Sequence, residues 1–244
     1  MKRIFAAAML CWTISNTAVA GQIEKESVAV TPGFEVTKDT ISKHGYTLIF
    51  INKDEKFAAE GQEVRERMIE TFFKVYPKLA KAYNKSTLKK VVFNVDPKYN
   101  GVAATANGRV TYNPAWMLRT PTDIDVVTHE VMHIVQDYGR SVGPGWLTEG
   151  IADYARFKFG VDNAGAHWSL PKYNPKHSYT NSYRITARFL AWLEANGNKG
   201  IVKKMDASLR DHTYTDDSWQ KITGKTLDQL WTAYTQAPDK GMKS

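Results

Sequence analysis

One short stretch has the residue types and spacing to hold a metal ion. His129 and His133 stand four apart, with Glu130 beside the first (HEVMH). On a helix, positions i and i+4 share a face, so the two imidazoles can converge on one point. Zinc accepts neutral imidazole nitrogens at about 2.0–2.1 Å in a tetrahedral shell. Glu130 lies next to that face, where it can reach a water at the metal without being a ligand. A catalytic zinc needs three protein ligands and an open position, so a third ligand must come from elsewhere in the chain.

The H-E-x-x-H pattern is the helix signature of zinc metallopeptidases, but five positions with two wildcards also recur by chance. Its histidine-extended form fails here, because Gln136 and Gly139 occupy the further glycine and histidine positions. The next acids are Glu149 and Asp153, in E-G-I-A-D. A helix, a glycine-rich turn and a second helix can bring them back over the histidine pair. Glu149 is then the third ligand, and Asp153, one turn on, accepts a hydrogen bond from a ligand histidine. The reverse assignment, Asp153 as ligand with Glu149 in support, also fits the spacing. Both acids suit the start of a helix for dipole reasons alone. Together with the histidines they are similar to the gluzincin class of zinc peptidases. The chemistry implied is amide hydrolysis, with Glu130 as general base. An oxyanion donor is needed as well, and His167 and Tyr183 are the candidates in the polar, aromatic region downstream.

Several elements must position these groups. Tyr46 to Asn52 and Lys90 to Val95 are β-branched and aromatic, which predicts strands. Asn107-Gly108 between two β-rich arms predicts a hairpin. One of its arms could be an outer strand able to bind an extended peptide. Val64, Met68, Phe72, Val75 and Leu79 recur at helical spacing within a helix over Lys56 to Asn84, with Pro77 dividing or kinking it. Thr122 and Asp125 resemble a capping box that would start the histidine helix, which runs to Asp137 and ends near Gly139. A second helix covers about Leu147 to Phe159, and further helices follow at Ser182 to Ala195, Gly200 to Leu209, Ser218 to Ile222 and Leu227 to Tyr234. Ala166 to Tyr179 reads as an irregular loop. Strands and a helix first, then helices, is an α+β arrangement: a mixed sheet with helices, then a mostly helical C-terminal part.

Composition narrows the setting. The chain has 244 residues, 43% of them hydrophobic, enough for a packed core rather than disorder. Residues 1–20 read as a signal peptide: Lys2 and Arg3, an apolar run from Ile4 to Ile14, and Ala18-Val19-Ala20 before a cleavage point at Gly21. Residues 21–244 then form a single domain, with 21–139 carrying the sheet and histidine helix and 140–244 the helical part. Gly21 to His44 reads as extended, with a strand near Val28 to Val30. The expected location is secreted or periplasmic. Cys11 is the only cysteine and leaves with the signal, so no disulfide or thiol chemistry remains. The net charge falls from +8 to +6 on removal of Lys2 and Arg3. It is spread over helix faces without a nucleic-acid motif, so no nucleic-acid partner is expected. No membrane span is expected either, and the chain is expected to be a monomer. Trp146, Tyr154, Trp168 and Trp192 read mostly as core, with one or two of them able to line a pocket, and Arg156, Arg184 and Arg188 as helix-surface or salt-bridge residues. Asn84-Lys85-Ser86 is a glycosylation sequon, relevant only in a eukaryotic secretory pathway.

Five blocks together resemble the basic secretory protein family, peptidases of plants and bacteria: HEVMHIVQ, GWLTEGIADYARFKFG, HW at His167-Trp168, TARFLAWL and TGKTLDQLWTAY. They occur in the family's order and cover the last half of the chain. The resemblance implies a zincin-like fold and zinc-dependent proteolysis of peptides or proteins. It carries over His129, Glu130 and His133 directly, and the E-G-I-A-D-Y block as a unit. The alternative is a metal-bearing protein without turnover, or of narrow specificity, that binds cell-surface glycans or proteins.

Overall fold

The computed structural model describes residues 34–139 and 143–242. The expected signal peptide, the expected cleavage point and the strand expected near Val28 to Val30 lie outside the described residues. Five strands form one sheet: β1 (Thr37–Lys43), β2 (Tyr46–Asn52), β3 (Lys90–Val95), β4 (Ala103–Ala106) and β5 (Arg109–Tyr112). Their spatial order is β1-β2-β3-β5-β4. The inner pairs β2/β3 and β3/β5 are parallel and the outer pairs antiparallel, so the sheet is mixed. β2 and β3 occupy the residues expected of them. β1 falls in a segment expected only to be extended. Almost every residue of β1 is exposed, so it carries no apolar alternation to read.

Tyr46, Leu48 and Phe50 of β2 point inward at every second position. A long helix covers them. The chain first makes α1 (Glu55–Glu60), then α2 (Gln62–Ala82). The break falls at Gly61, not at Pro77 as the sequence suggested. A Cβ at Gly61 would stand 2.6 Å from the Phe57 carbonyl oxygen, so the tight turn there admits only glycine. Pro77 lies within continuous α2, where the bond its missing N–H cannot make would have gone to Phe73. Phe72 and Tyr76 of α2 meet Phe93 and Tyr46 of the sheet at 5.5 and 5.2 Å between ring centroids. These rings fasten α2 onto β2 and β3.

A short α3 (Pro114–Arg119) was not expected. Its signal was present in Asn113-Pro114: the Asn113 side chain accepts from Ala115 and Trp116 N–H, and proline is pre-set for the first helical position. The histidine helix is α4 (Val126–Gln136), followed by α5 (Gly145–Phe159). The expected Thr122 capping box does not form. Asp125 is the N-cap, and its carboxylate turns elsewhere. At the other end Asp137 adopts φ +45° and closes the helix with a bond from its N–H to the His133 carbonyl. The helical part follows as α6 (Tyr183–Ala195), α7 (Ile201–Arg210), α8 (Ser218–Thr223) and α9 (Leu227–Gln236), within a residue or two of expectation. α4 packs between α2, α5 and β4, and α5 packs on α6. Asn84 of the sequon is 8% exposed, and its amide donates to the Val135 carbonyl at 3.0 Å. The folded chain offers no free amide there for a glycan. No described helix is long and apolar enough to cross a membrane.

Candidate metal centre

His129 Nε2 and His133 Nε2 stand 3.2 Å apart. Glu149 Oε2 is 3.3 Å from the first and 3.6 Å from the second. Among the described residues these three form a group able to hold a metal. A tetrahedral ion with arms near 2.05 Å has ligand–ligand edges of about 3.3 Å, so the triangle has the size of one face of a zinc shell. The donor chemistry agrees. Gln136 Nε2 donates to the Thr148 carbonyl at 2.9 Å, which turns its Oε1 to His133 Nδ1 at 2.7 Å. Asp153 Oδ1 accepts from His129 Nδ1 at 2.7 Å. Both Nδ1 atoms are therefore the protonated ones, and both Nε2 lone pairs face the Glu149 carboxylate. Three acceptors in contact with no donor between them are mutually repulsive unless a positive charge joins them. The residues fit zinc.

The electrostatics point the same way. Burial disfavours a second proton on His129, but Asp153 and Glu149 outweigh it and raise its pKa to about 10. Burial pushes Glu149 up, yet the two histidines hold it well below the usual carboxylate range. The acids thus call for a cation at Nε2, whether proton or metal.

Two neighbouring helices deliver the pieces. Along α4 the histidines share a face by helical period. Along α5, Glu149 and Asp153 do the same, and they address opposite nitrogens of His129. Asp153 lies outside the ligand triangle in this geometry. Gly150 between them has a packing function: a Cβ there would sit 2.7 Å from Thr186 Cβ and closer still to its Cγ2. The bare backbone lets α6 approach α5, and α6 starts with Tyr183. That ring lies nearly parallel to His129, at 6.1 Å and 20°. It is 53% exposed, and the Glu149 charge, ahead of burial, raises its phenol pKa. Ser182 and Tyr183 both hold positive φ, +64° and +48°. Such strain in residues with side chains tends to gather at functional sites. His167 also has positive φ, +51°, and lines the same cleft, but has no ring contact with the histidine pair among the described residues.

Glu130 is buried beside the triangle. Its Oε2 accepts from Thr105 Oγ1 of β4 at 2.7 Å. The cleft in front of these groups has a volume of about 1370 Å³ and runs along Val102 to Gly108, under α4 and past Tyr183 and Arg184. β4 is an outer strand, so one row of its backbone groups has no strand partner.

Sequence reasoning missed the roles of Thr105, Gln136 and Gly150, and read Asp125 only as part of a capping box. Gln136 alone had a local signal, lying three residues after His133 on the same helix face. Asp125 is fully buried and accepts from Thr128 Oγ1 and from the Val161 and Asp162 N–H groups at 2.7, 2.8 and 2.6 Å. It ties the start of α4 to the chain leaving α5. Arg156 pairs with Asp123 at 2.6 Å and lies 4.5 Å over Trp168, and Arg188 pairs with Asp239. Arg184 lines the cleft instead.

No curated protein matches the chain. Among solved structures it superposes on the aminopeptidase A of Legionella pneumophila in complex with aspartic acid, with TM-score 0.54 at 15% identity, over 81% of this chain and 27% of that one. The chain thus spans about a quarter of that enzyme. An M1 zinc metallopeptidase from Deinococcus radiodurans matches with TM-score 0.40 at 15% identity, over 84% of this chain and 50% of that one. The first superposition shows a zincin-like fold, consistent with the mixed sheet and the histidine helix. The family described as peptidases of plants and bacteria matches residues 34–234. With most of its length covered by that match, the chain belongs to the family of peptidases of plants and bacteria.

Proposed function

We propose that this chain is an exported, zinc-dependent peptidase. The observation that carries the reading is the triangle of His129, His133 and Glu149, with edges of zinc size and lone pairs turned inward. His129, His133 and Glu149 would hold the ion, and Asp153 fixes the tautomer and tilt of His129. A zinc ion there would supply Lewis acidity for the attacking water and the substrate carbonyl. Glu130 accepts the proton of the attacking water and delivers it to the leaving amine. Tyr183, beside His129 with its phenol kept protonated, donates a hydrogen bond to the developing oxyanion. His167 is the other group on the cleft wall able to do so.

The outer edge of β4 along the cleft, where the Ala103 carbonyl already accepts from the Tyr99 hydroxyl, suits an extended peptide, which adds as a further strand. The charged, apolar and small-residue order of residues 1–20 supports export to a secreted or periplasmic location. The test compares the zinc-loaded mature chain with Glu130→Gln on a mixed denatured-peptide library, reading new termini by mass spectrometry. Cleavage by the wild type, lost in a variant that still binds zinc, is the expected result. Zinc bound by both and cleavage by neither would overturn the peptidase reading.

A further inference from the structure

The cleft wall contributes more than a peptide-binding edge. Thr105 Oγ1 lies 2.7 Å from Glu130 Oε2 and 3.0 Å from the Glu130 backbone carbonyl. A hydroxyl has one proton to donate, and the carboxylate offers the shorter, charge-assisted bond. We infer that Thr105 is a positioning residue for Glu130: its hydroxyl engages Oε2 and leaves Oε1 as the oxygen that meets the attacking water. The inference rests on the peptidase reading and adds to it the group that orients the base.

Register explains why this side chain is the one in place. Asn107 and Gly108 hold φ +50° and +72°, the left-handed pair of a two-residue hairpin. That turn pairs Thr105 with Val110 and Ala106 with Arg109. Along β4, Ala104 and Ala106 are exposed, whereas Ala103 and Thr105 are half-buried. A slip of one residue would present an alanine to Glu130. The three alanines of β4 have no hydroxyl, so the strand supplies one donor, and it faces the buried carboxylate. The same hydroxyl also stands 3.0 Å from the Glu130 backbone carbonyl, so β4 packs directly against α4 at this residue. The substrate-binding edge and the base are thereby held in one frame.

The test uses Thr105→Val, which keeps the shape and removes the donor, and Thr105→Ser, which keeps the donor and removes the methyl. Zinc affinity is measured by chelator competition. Turnover is measured on a quenched fluorescent peptide built on a sequence that the wild type cleaves. Affinity for a peptide hydroxamate, whose hydroxyl takes the place of the attacking water, is measured by calorimetry. Thr105→Val is expected to lower kcat by about tenfold to a hundredfold, with KM and zinc affinity within about twofold of wild type and hydroxamate binding weakened. Thr105→Ser restores most of both. In a Glu130→Gln background, Thr105→Val leaves hydroxamate affinity unchanged, because the bond it removes has lost its charged acceptor. A kcat within twofold of wild type in Thr105→Val, equal damage from Ser and Val, or loss of zinc would overturn the inference. A Glu130→Gln variant that cleaves as well as wild type would remove the peptidase reading and this inference with it. Dependence on Glu130 without dependence on Thr105 would remove this inference alone.

Discussion

Replacing the two acids of α5 separates a metal ligand from a group that orients one. Glu149 Oε2 lies 3.3 and 3.6 Å from the two Nε2 atoms, inside the triangle. Asp153 Oδ1 lies 2.7 Å from His129 Nδ1, on the far side of the ring. Loss of an orienting partner typically weakens a metal about 10–100-fold, or about 1.4–2.7 kcal/mol. Asp153→Asn keeps an acceptor oxygen and should fall near the lower figure. Asp153→Ala leaves the buried Nδ1–H unpaired and should fall near the upper one. Glu149→Ala removes a donor atom outright and should exceed a hundredfold. The assay is competition for zinc with a chromophoric chelator at pH 7, supported by melting at fixed zinc. At zinc concentrations well above both dissociation constants, a hundredfold weaker site loses about 2.7 kcal/mol of zinc-dependent stabilisation. For a chain of this size that lowers the melting temperature by about 5–11 °C. Zinc affinity lost in Asp153→Ala but close to wild type in Glu149→Ala would refute the assignment and make Asp153 the ligand.

Tyr183→Phe should lower kcat by about 10²–10³ while zinc affinity stays put, the loss expected for one oxyanion donor; turnover within twofold of wild type would pass that role to another group such as His167. Gly150→Ala should destabilise the fold by about 1–3 kcal/mol in urea titration, because the Thr186 side chain it meets is short and buried. It should also impair turnover, since α6 cannot move off α5 without carrying Tyr183. Asp125→Ala should destabilise by about 3–5 kcal/mol, because the Val161 and Asp162 N–H groups lose a charged acceptor; a loss under about 1 kcal/mol would show that water replaces it.

Features written along one element were legible in the sequence. β2 and β3 alternate or run apolar, and the α2 stripe repeats at three and four. The order of strands before helices was enough for the α+β class. The exceptions are instructive. β1 is an exposed outer strand, held by backbone pairing with β2 and not by side-chain pattern, so composition could not reveal it. The break before α2 depends on a contact between Gly61 and the Phe57 carbonyl that no periodicity encodes. Thr122 and Asp125 had the spacing of a capping box, but tertiary structure claimed the aspartate for the backbone at Val161 and Asp162.

The same division runs through the site. The two histidines and the two acids can be found because each pair is one helical turn apart, so a single period places both members. What joins the pairs is a relation between helices. The choice between Glu149 and Asp153 stays open in sequence because both lie on the same face of α5. It becomes geometric only when α5 crosses α4 and sets one acid at Nε2 and the other at Nδ1. Thr105 lies further still from any motif. It reaches Glu130 because an Asn-Gly turn fixes a register and an outer strand runs beside α4, and neither fact mentions the glutamate. In this fold the ligands are the local part of the site, and the groups that hold them in position are set by tertiary packing.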